Sequence, residues 1–373
     1  MTQHAEQRLI CIGFPRWRRA NLAPILNVAP RRAIFVSTAR NAEKLAPGPA
    51  DHLVWWGVTP PENVLTLGSV SGAGALRMED GFIRSVGLGS DLIPPLSVVL
   101  DSSGIYFDPR QPSDLEIILC EAAFSDEEQT RARKIREFIV GHGITKYNIE
   151  TRETARWQTG GKPVILVPGQ VEDDASIRFG CSTIRSNIGL LQAVRDGNPD
   201  AFIVYKPHPD VMSGNRRGQL ALDQAARVAD HIETRLSVVS CIEASDELHC
   251  MTSLAGFDAL LRQRKVVTYG QPFYAGWGLT DDKDGDGTAL LRRQRRLTLD
   301  ELVAGTLIRY PLYWDPDLRS YTSCEWVLDR ILRTRDELEH QGRLESLRSG
   351  VASHLMRKIR AVARAWLTPA GYR

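Results

Sequence analysis

The segment "AFIVYKPHPD", residues 201–210, joins an apolar run to two prolines that flank a histidine. Its first half is rich in aromatic and β-branched residues, which is typical of a buried strand. Proline donates no hydrogen bond to a sheet and restricts the residue before it to extended backbone. The segment therefore predicts a strand that stops near Lys206 and presents this lysine, His208 and Pro209 rigidly at its carboxyl end.

Similar short apolar runs alternate with helical patterns along the chain. Strands are predicted at "RLICIGF" (8–14), "RAIFVST" (32–38), "HLVWWG" (52–57), "NVLTLG" (63–68), "LSVVLD" (96–101), "PVILVPG" (163–169) and "KVVTYG" (265–270). Two S-x-x-E capping boxes, Ser113 with Glu116 and Ser125 with Glu128, predict helices that begin there. This alternation predicts an α/β protein of two halves, each built on a parallel sheet.

A polar segment with two adjacent glycines, residues 145–162, predicts the boundary between the halves. The first domain is expected at 8–150, the second at 160–320, and C-terminal helices at 321–373. In residues 353–367, apolar side chains recur at helical spacing among basic ones. This last segment either packs on its own domain or makes a peripheral contact with an anionic membrane surface.

Charge and cysteine content restrict the class of protein. The formal net charge is +2, from 47 basic and 45 acidic residues, which argues against nucleic acid as a partner. The six cysteines form no C-x-x-C pair, so buried thiols in a reducing compartment are expected. Neither a signal peptide nor an apolar run of about 18 residues is evident, and a cytoplasmic location is expected.

Four segments with polar and turn residues are predicted at strand ends, where open α/β sheets bind ligands. They are "MEDGFIRS" (78–85), "PGQVEDDASI" (168–177), "KPHPD" (206–210) and "MTSLAGFDALL" (251–261). In the last, Thr252 or Ser253 can cap a helix whose N-terminus suits a phosphate, although most such caps bind nothing. The acidic residues 172–174 are either a helix start or carboxylates beside the ligand.

Taken together, these segments resemble the capsule β-Kdo transferases, the KpsC-type family of capsular polysaccharide biosynthesis proteins. The matching stretches are "EDGFIRSVGLGSDL", "PGQVEDDASIRFG", "VYKPHPDV" and "TSLAGFDALLRQRKVVTYGQPFYAGWGLT", in that order, and the resemblance covers about residues 10–316. Family members often carry two such modules in tandem, whereas this sequence holds one. The resemblance implies a GT-B-like fold with two Rossmann-like domains whose parallel sheets face a cleft.

The resemblance also implies a retaining glycosyltransferase that builds the linker of a capsule polysaccharide. Such enzymes move Kdo, an acidic sugar, from CMP-β-Kdo onto a Kdo-bearing or unmodified phosphatidylglycerol-type lipid. The first domain is then expected on the acceptor side and the second on the donor side. No cofactor and no metal are expected, because fixed positive groups can neutralise the departing phosphate. A capsule biosynthesis or export complex, on the inner face of the inner membrane, is the implied setting.

In this reading the donor's phosphate is met by a small group of side chains in the second domain. Lys206 and His208 are expected to bind the departing CMP phosphate, with Pro209 holding the histidine rigid. Thr252 and Ser253 are expected to contribute hydroxyls and helix N–H groups. A satisfied structural histidine and an ordinary helix cap are the alternatives for His208 and for the Thr-Ser pair.

Retention at the anomeric carbon suggests two displacements through a covalent intermediate, which needs a carboxylate nucleophile. Asp174 or Asp173 is the favoured nucleophile, because both follow the strand that ends in "PGQ". Glu79 is the second choice, as a base for the acceptor hydroxyl or as a transient carrier of the sugar. Gln170 is expected to bind substrate, and Arg84 is the candidate cation for the sugar's carboxylate, with a surface arginine as the alternative.

Two other classes of protein stay open on the residues alone. One is a metal-dependent phosphoesterase with Asp173, Asp174, His208 and Asp210, and the other is a non-catalytic nucleotide-sugar-binding subunit of a capsule assembly. Residues 282–293, "DKDGDGTALLRR", match the start of a calcium-binding loop but end in arginine where calcium needs glutamate. A flexible polar turn is therefore expected there.

Overall fold

The computed structural model describes residues 7–150, 153–208, 222–344 and 347. Pro209, Asp210 and the amphipathic segment 353–367 lie outside the described residues. Contacts divide the described chain into two compact units. The first unit comprises residues 7–105, 146–149 and 306 onward, and the second comprises 106–145 and 150–305.

These units differ from the expected ranges 8–150 and 160–320 in two places. Residues 106–145 belong to the second unit, and the chain returns to the first unit at Thr306. A buried ion pair explains the first difference, because the Glu116 carboxylate accepts from both Arg292, at 2.7 Å, and Arg293, at 3.0 Å. In sequence, Glu116 lies 176 residues from Arg292 and 177 residues from Arg293, so no local motif could predict this pairing.

The strands and helices of the described residues are numbered in chain order. The strands are β1 Gln7–Ile12, β2 Arg31–Val36, β3 His52–Trp56, β4 Gly74–Asp80, β5 Ser97–Asp101, β6 Val164–Pro168, β7 Phe202–Lys206, β8 His231–Ile232, β9 Glu247–Cys250, β10 Lys265–Thr268, β11 Asp281–Asp282, β12 Leu312–Asp315 and β13 Ser320–Thr322. The helices are α1 Arg16–Leu26, α2 Ala39–Glu43, α3 Val64–Ser71, α4 Asp114–Glu121, α5 Asp126–Gly141, α6 Ala175–Gly180, α7 Asn187–Gly197, α8 Leu222–Ala225, α9 Val238–Glu243, α10 Leu254–Leu261, α11 Thr288–Arg292, α12 Leu299–Val303 and α13 Cys324–His340, with a π-helix at Ala304–Arg309 and a 3₁₀ turn at Gly89–Asp91.

The sheet of the first unit is mixed, in the order β13-β12-β5-β4-β3-β1-β2. The strands β2, β1 and β3 run parallel, as predicted, and so does β4, which was not among the predicted strands, whereas β5, β12 and β13 are antiparallel to their neighbours. The expectation of a wholly parallel sheet was therefore wrong for this unit. Parallel neighbours need a crossover, usually a helix, but the connection from β4 to β5 contains only the short 3₁₀ turn.

The same rule corrects the prediction of a strand at residues 63–68, where the structure has the helix α3. The strands β3 and β4 are parallel neighbours, so the chain between them must cross over the sheet. The apolar run "VLTL" looks strand-like in isolation. In α3, however, only Val64 is buried, and Leu65 and Val70 are exposed.

The sheet of the second unit is parallel throughout its described strands, in the order β11-β10-β9-β6-β7-β8. Its core joins the buried faces of β6 and β7 to α7, through side chains such as Val167, Ile203, Leu190 and Leu191. The α/β class with two Rossmann-like sheets is thereby confirmed. Because the strands are parallel, β6, β7 and β9 all end at one edge, where the predicted ligand segments begin.

Candidate active site

Three of the predicted ligand segments meet at the carboxyl edge of the second unit's sheet. Pro168 pairs with Lys206 across β6 and β7, and the N–H of Gly169 donates to the Lys206 carbonyl at 2.8 Å. A side chain at Gly169 has no room, because an added Cβ would lie 2.7 Å from the Tyr205 hydroxyl and 3.3 Å from the backbone nitrogen of His208. The "PGQ" turn and the "KPH" turn are thus held backbone to backbone.

Gln170 fixes the third segment to the first. Its side-chain oxygen accepts from the Thr252 N–H at 2.9 Å, and its Nε2 donates to Thr252 Oγ1 at 3.1 Å. Asn187, the first residue of α7, holds the Gln170 backbone in turn, since Oδ1 accepts from the Gln170 N–H at 2.8 Å and Nδ2 donates to its carbonyl at 2.9 Å. Gln170 and Asn187 are both buried, which makes this cross-link a rigid support.

The acidic run 172–174 divides into three different environments. Asp174 is the N-cap of α6, and its Oδ1 accepts from the Ser176 N–H at 2.9 Å and from Ser176 Oγ at 2.8 Å. Glu172 accepts from the Asn187 N–H at 2.7 Å, at the start of α7. Asp173, between them, is exposed. Asp174 and Glu172 therefore bind the starts of helices, which was one of the two alternatives for this run. Asp173 is the residue of the run whose carboxylate faces solvent.

Thr252 and Ser253 lie where β9 passes into α10. Ser253 is the N-cap, with its hydroxyl accepting from the Ala255 N–H at 3.2 Å, while the Thr252 hydroxyl donates to Ser176 Oγ at 3.1 Å. The backbone is close-packed here, because a Cβ on Gly270 would lie 3.0 Å from Thr252 Cγ2. The threonine hydroxyl thus belongs to a hydrogen-bond chain that runs from Gln170 to Asp174.

Lys206 is buried, and its ammonium donates to the Leu236 carbonyl. The loop that carries this carbonyl is held by Glu233, whose carboxylate accepts from the N–H groups of Arg235 at 2.8 Å and Leu236 at 3.0 Å. Burial alone would raise the pKa of Glu233, but these hydrogen bonds outweigh it and lower the pKa to about 2. Lys206 therefore has a backbone partner that the sequence did not indicate. His208 is half-buried beside it.

A second cluster of charges lies at the carboxyl end of β4 in the first unit. Arg84 is buried, and its Nε lies 2.7 Å from an Asp80 carboxylate oxygen. Its two terminal nitrogens donate to Ser85 Oγ at 2.9 Å and to the Ile93 carbonyl at 2.8 Å. The predicted cation for the sugar's carboxylate is thus engaged by the protein, and it fixes Asp80 and the loop that follows β4.

Glu79 is the titratable group that stands out in this cluster. Burial, and then the charge of Asp80, raise the pKa of Glu79 to about 7, although Lys146 and Arg18 oppose the shift. Its Oε1 accepts from the N–H of Asp80 at 3.0 Å. A carboxyl group that is half-protonated near neutral pH is suited to take up and release a proton.

Several polar groups near these sites were missed by the sequence reasoning. Asn187 and Ser176 look like ordinary helix-start residues, and only their burial and partners distinguish them. Arg18 and Trp56, which contact one another, lie 38 positions apart in the sequence, although the run "PRWRR" (15–19) directly after β1 was an available signal.

The flexible polar turn predicted at residues 282–293 is confined to the stretch between β11 and α11, since Thr288–Arg292 is helical, and its carboxylates accept from protein donors. Asp282 accepts from the hydroxyls of Thr268, at 2.8 Å, and Thr280, at 2.7 Å, and Asp284 accepts from Gln271 at 3.2 Å. Across the described residues, His, Cys, Asp and Glu side chains form no group of three or more that could hold a metal ion. None of the described helices is both long enough and apolar enough to cross a membrane.

Comparison with known proteins finds similarity along most of the chain. The family model described as "Capsule polysaccharide biosynthesis protein" matches residues 51–154 and 145–313. The capsule polysaccharide modification protein LipA of Neisseria meningitidis is 42% identical over 96% of this chain, and the lipopolysaccharide-processing protein LpsZ of Rhizobium meliloti is 37% identical over 93%. The chain spans about half the length of LipA, 50%, and 78% of LpsZ.

Two solved structures of KpsC from Thermosulfurimonas dismutans are similar in fold and in sequence. The one described as a β-Kdo 2,7 transferase is 33% identical, with a TM-score of 0.69. The one described as a β-Kdo 2,4 transferase is 29% identical, with a TM-score of 0.76. Each match covers 88% of this chain and 99% of the solved chain.

Proposed function

Because this chain belongs to the capsule polysaccharide biosynthesis protein family, we propose that it is a glycosyltransferase that adds β-linked Kdo to a capsule linker. The observation that carries the proposal is the similarity to both KpsC transferase structures, which this chain matches over 99% of their length. The hydrogen-bonded edge that joins Gln170, Thr252 and Asp174 adds support, because it is a rigid polar surface at the strand ends where α/β sheets bind ligands.

The proposed donor is CMP-β-Kdo, bound by the second unit. The phosphate would lie at the N-terminus of α10, with the helix N–H groups, the Ser253 hydroxyl and the imidazole of His208 as donors, while Thr252, whose hydroxyl donates to Ser176 Oγ, would position the turn. Gln170 would hold Thr252 in place through its two hydrogen bonds. Lys206, whose ammonium donates to the Leu236 carbonyl, would fix the loop that carries Leu236 and would add a positive electrostatic potential at the phosphate. Pro209 keeps its proposed role of making the His208 turn rigid.

The proposed reaction retains the β configuration through two displacements. In the first, a carboxylate attacks the anomeric carbon, the bond to the CMP phosphate breaks, and CMP departs with the electron pair. In the second, an acceptor hydroxyl attacks the same carbon, the carboxylate leaves, and a base takes the hydroxyl's proton. The helix N-terminus and its hydroxyl donors can stabilise the departing phosphate without a metal, so we propose metal-independent turnover.

The structure favours an order among the candidate carboxylates. We assign the nucleophile to Asp173 first, since its carboxylate is exposed, and to Asp174 second, since one of its oxygens already caps α6. Glu79 is assigned as the base, because a pKa of about 7 lets it accept a proton from the acceptor hydroxyl and release it again at neutral pH. Arg84 is assigned to hold Asp80 beside it.

The proposed acceptor is a lipid that carries phosphatidylglycerol, with or without a first Kdo, and it would be bound by the first unit. A lipid acceptor would put the reaction at a membrane surface, for which we propose the inner face of the inner membrane. Peripheral membrane contact through residues 353–367 and a place in a capsule biosynthesis or export complex are part of the same proposal.

Incubation of the purified chain with CMP-Kdo and a synthetic Kdo-lipid tests the proposal by mass spectrometry of the lipid. An acceptor that gains one Kdo supports a transferase, and phosphate release from CMP-Kdo or the lipid without transfer supports a phosphoesterase instead. Because the chain spans only half of LipA, a nucleotide-sugar-binding subunit is the second candidate. In that case, CMP-Kdo would bind without any change in the mass of either substrate.

A further inference from the structure

The first helix begins with charges that oppose its own dipole. Residues 16–19, the first turn of α1, are Arg, Trp, Arg and Arg, and the N-cap is Pro15, which offers no side-chain acceptor. A helix N-terminus carries a partial positive charge and is stabilised by acidic residues, so basic residues there are unfavourable. The arrangement becomes favourable when an anion binds, because the first N–H groups of a helix and the arginines then act together on it.

Arg18 is held in place by aromatic rings and not by hydrogen bonds. Its guanidinium carbon lies 4.1 Å from the centre of the Trp56 ring and 4.6 Å from that of Trp17. Among the described residues, none accepts a hydrogen bond from Arg18, whereas its neighbour Arg19 donates to the Phe14 carbonyl at 2.7 Å. Stacking on rings fixes the plane of a guanidinium and leaves its N–H edge for a planar anion.

Arg18 lies at the same edge of the first unit's sheet as Glu79. The strand β1, which leads into α1, pairs with β3, and β3, which ends at Trp56, pairs with the parallel strand β4, which ends with Glu79 and Asp80. The charges of Glu79 and Asp80 act on Arg18. Arg18 and both of the indole rings it contacts are half-buried, so the stack is still open to solvent.

We propose that Trp17, Arg18 and Trp56 form an acceptor subsite, in which the Arg18 guanidinium binds the carboxylate of an acidic sugar. The indole rings give this sugar an apolar surface, and the bound carboxylate places its hydroxyls near Glu79. The inference rests on the proposed function for its substrate, and it makes the enzyme selective for acceptors that already end in an acidic sugar. A lipid phosphodiester is the other anion that an acceptor of this kind carries.

The test compares Arg18→Gln and Arg18→Lys with Arg40→Gln, which removes an exposed charge from α2 of the same unit. Three acceptors are used: a Kdo-lipid, the same lipid with the Kdo carboxylate reduced to an alcohol, and an alkyl Kdo glycoside without phosphate. Loss of a charge-assisted bidentate contact should raise the KM for the Kdo-lipid by about 10- to 100-fold in Arg18→Gln, and by less in Arg18→Lys. Arg40→Gln should behave as the wild type.

The acceptor series identifies the anion. The Arg18→Gln penalty should persist with the alkyl Kdo glycoside and disappear with the reduced lipid. A penalty that persists with the reduced lipid and disappears with the alkyl glycoside would mean that the phosphodiester is bound, and it would overturn the proposal. CMP release without acceptor should be unchanged in Arg18→Gln, and an equal loss there would place Arg18 in donor chemistry instead.

A binding measurement keeps the inference separate from the proposed function. Calorimetric titration with the alkyl Kdo glycoside should give a Kd that is weakened by a similar factor in Arg18→Gln and unchanged in Arg40→Gln. If the wild type transfers no Kdo but this difference in binding is present, the subsite stands and the transferase proposal fails. Equal binding by all three proteins overturns the subsite. The thermal midpoints of Arg18→Gln and Arg40→Gln are measured to confirm that both variants are folded.

Discussion

Replacement of Glu79 by glutamine should stabilise the protein at neutral and alkaline pH while it removes activity. Glutamine has nearly the same shape as glutamic acid, but its side chain cannot ionise. In the folded protein, burial and the charge of Asp80 raise the pKa of Glu79 from its ordinary value of 4.5 to about 7. The folded state therefore holds a proton that the unfolded chain releases between these two values, and the stability of the wild type falls as the pH rises through this window.

The size of the effect follows from the two pKa values of 4.5 and about 7. Below the lower value both states are protonated and Glu79 contributes no penalty. Between about pH 5 and pH 8 the wild type should lose about 2 to 3 kcal/mol of unfolding free energy through this one group. The difference in stability between Glu79→Gln and the wild type should grow by a similar amount, since titrating groups that do not interact with Glu79 cancel in the comparison.

Urea unfolding of the two proteins at several pH values, followed by tryptophan fluorescence, measures this difference. Glu62→Gln, at an exposed position of the same unit, is the matched control and should show no such trend. A difference in unfolding free energy between Glu79→Gln and the wild type that stays constant from pH 5 to pH 8 would show that the pKa of Glu79 is not raised in the folded protein. Retention of full transferase activity in Glu79→Gln would refute its assignment as the base.

Three further predictions follow from other contacts. Transfer from CMP-Kdo should continue in EDTA, and a loss of turnover that Mg²⁺ or Mn²⁺ restores would contradict the metal-independent mechanism. Asp174→Ala should lose about 1 kcal/mol of stability and Asp174→Asn much less, because asparagine also caps helices. Asp173→Asn should leave the unfolding midpoint unchanged and reduce the rate by orders of magnitude. Full activity in Asp173→Asn would exclude Asp173 as the nucleophile. Glu116→Ala should cost about 3–5 kcal/mol, since it strands the buried Arg293 guanidinium, and an unfolding midpoint close to that of the wild type would show that this pair contributes little.

The segments that the sequence placed at strand ends are those that the parallel sheet of the second unit brings together. Gln170, Thr252 and Ser253 could be found because strand ends, helix caps and turn residues are local signals. Gly169 and Lys206 meet as expected from neighbouring parallel strands. The local sequence pattern does not give the direction of a long side chain. The hydrogen bond from the Lys206 ammonium to the Leu236 carbonyl was therefore not predicted.

The parts that sequence reasoning missed depend on partners far apart in the chain. The Arg18–Trp56 contact, the Glu116–Arg293 ion pair and the return of the chain to the first unit at Thr306 all join residues without a shared local motif. The strand predicted at 63–68 failed for a related reason, because its apolar residues satisfy a strand pattern but the crossover between β3 and β4 requires a helix.

In the proposed mechanism, a carboxylate of this chain carries Kdo between CMP and the acceptor. Intact-protein mass spectrometry after mixing with CMP-Kdo, without acceptor, tests it most directly, and peptide mapping locates any added mass. We predict that one Kdo is added to the wild type, on Asp173 or Asp174, and that addition of the Kdo-lipid removes it. Transfer to the lipid by a protein that never gains the mass of a Kdo, under conditions that trap the intermediate, would contradict the account.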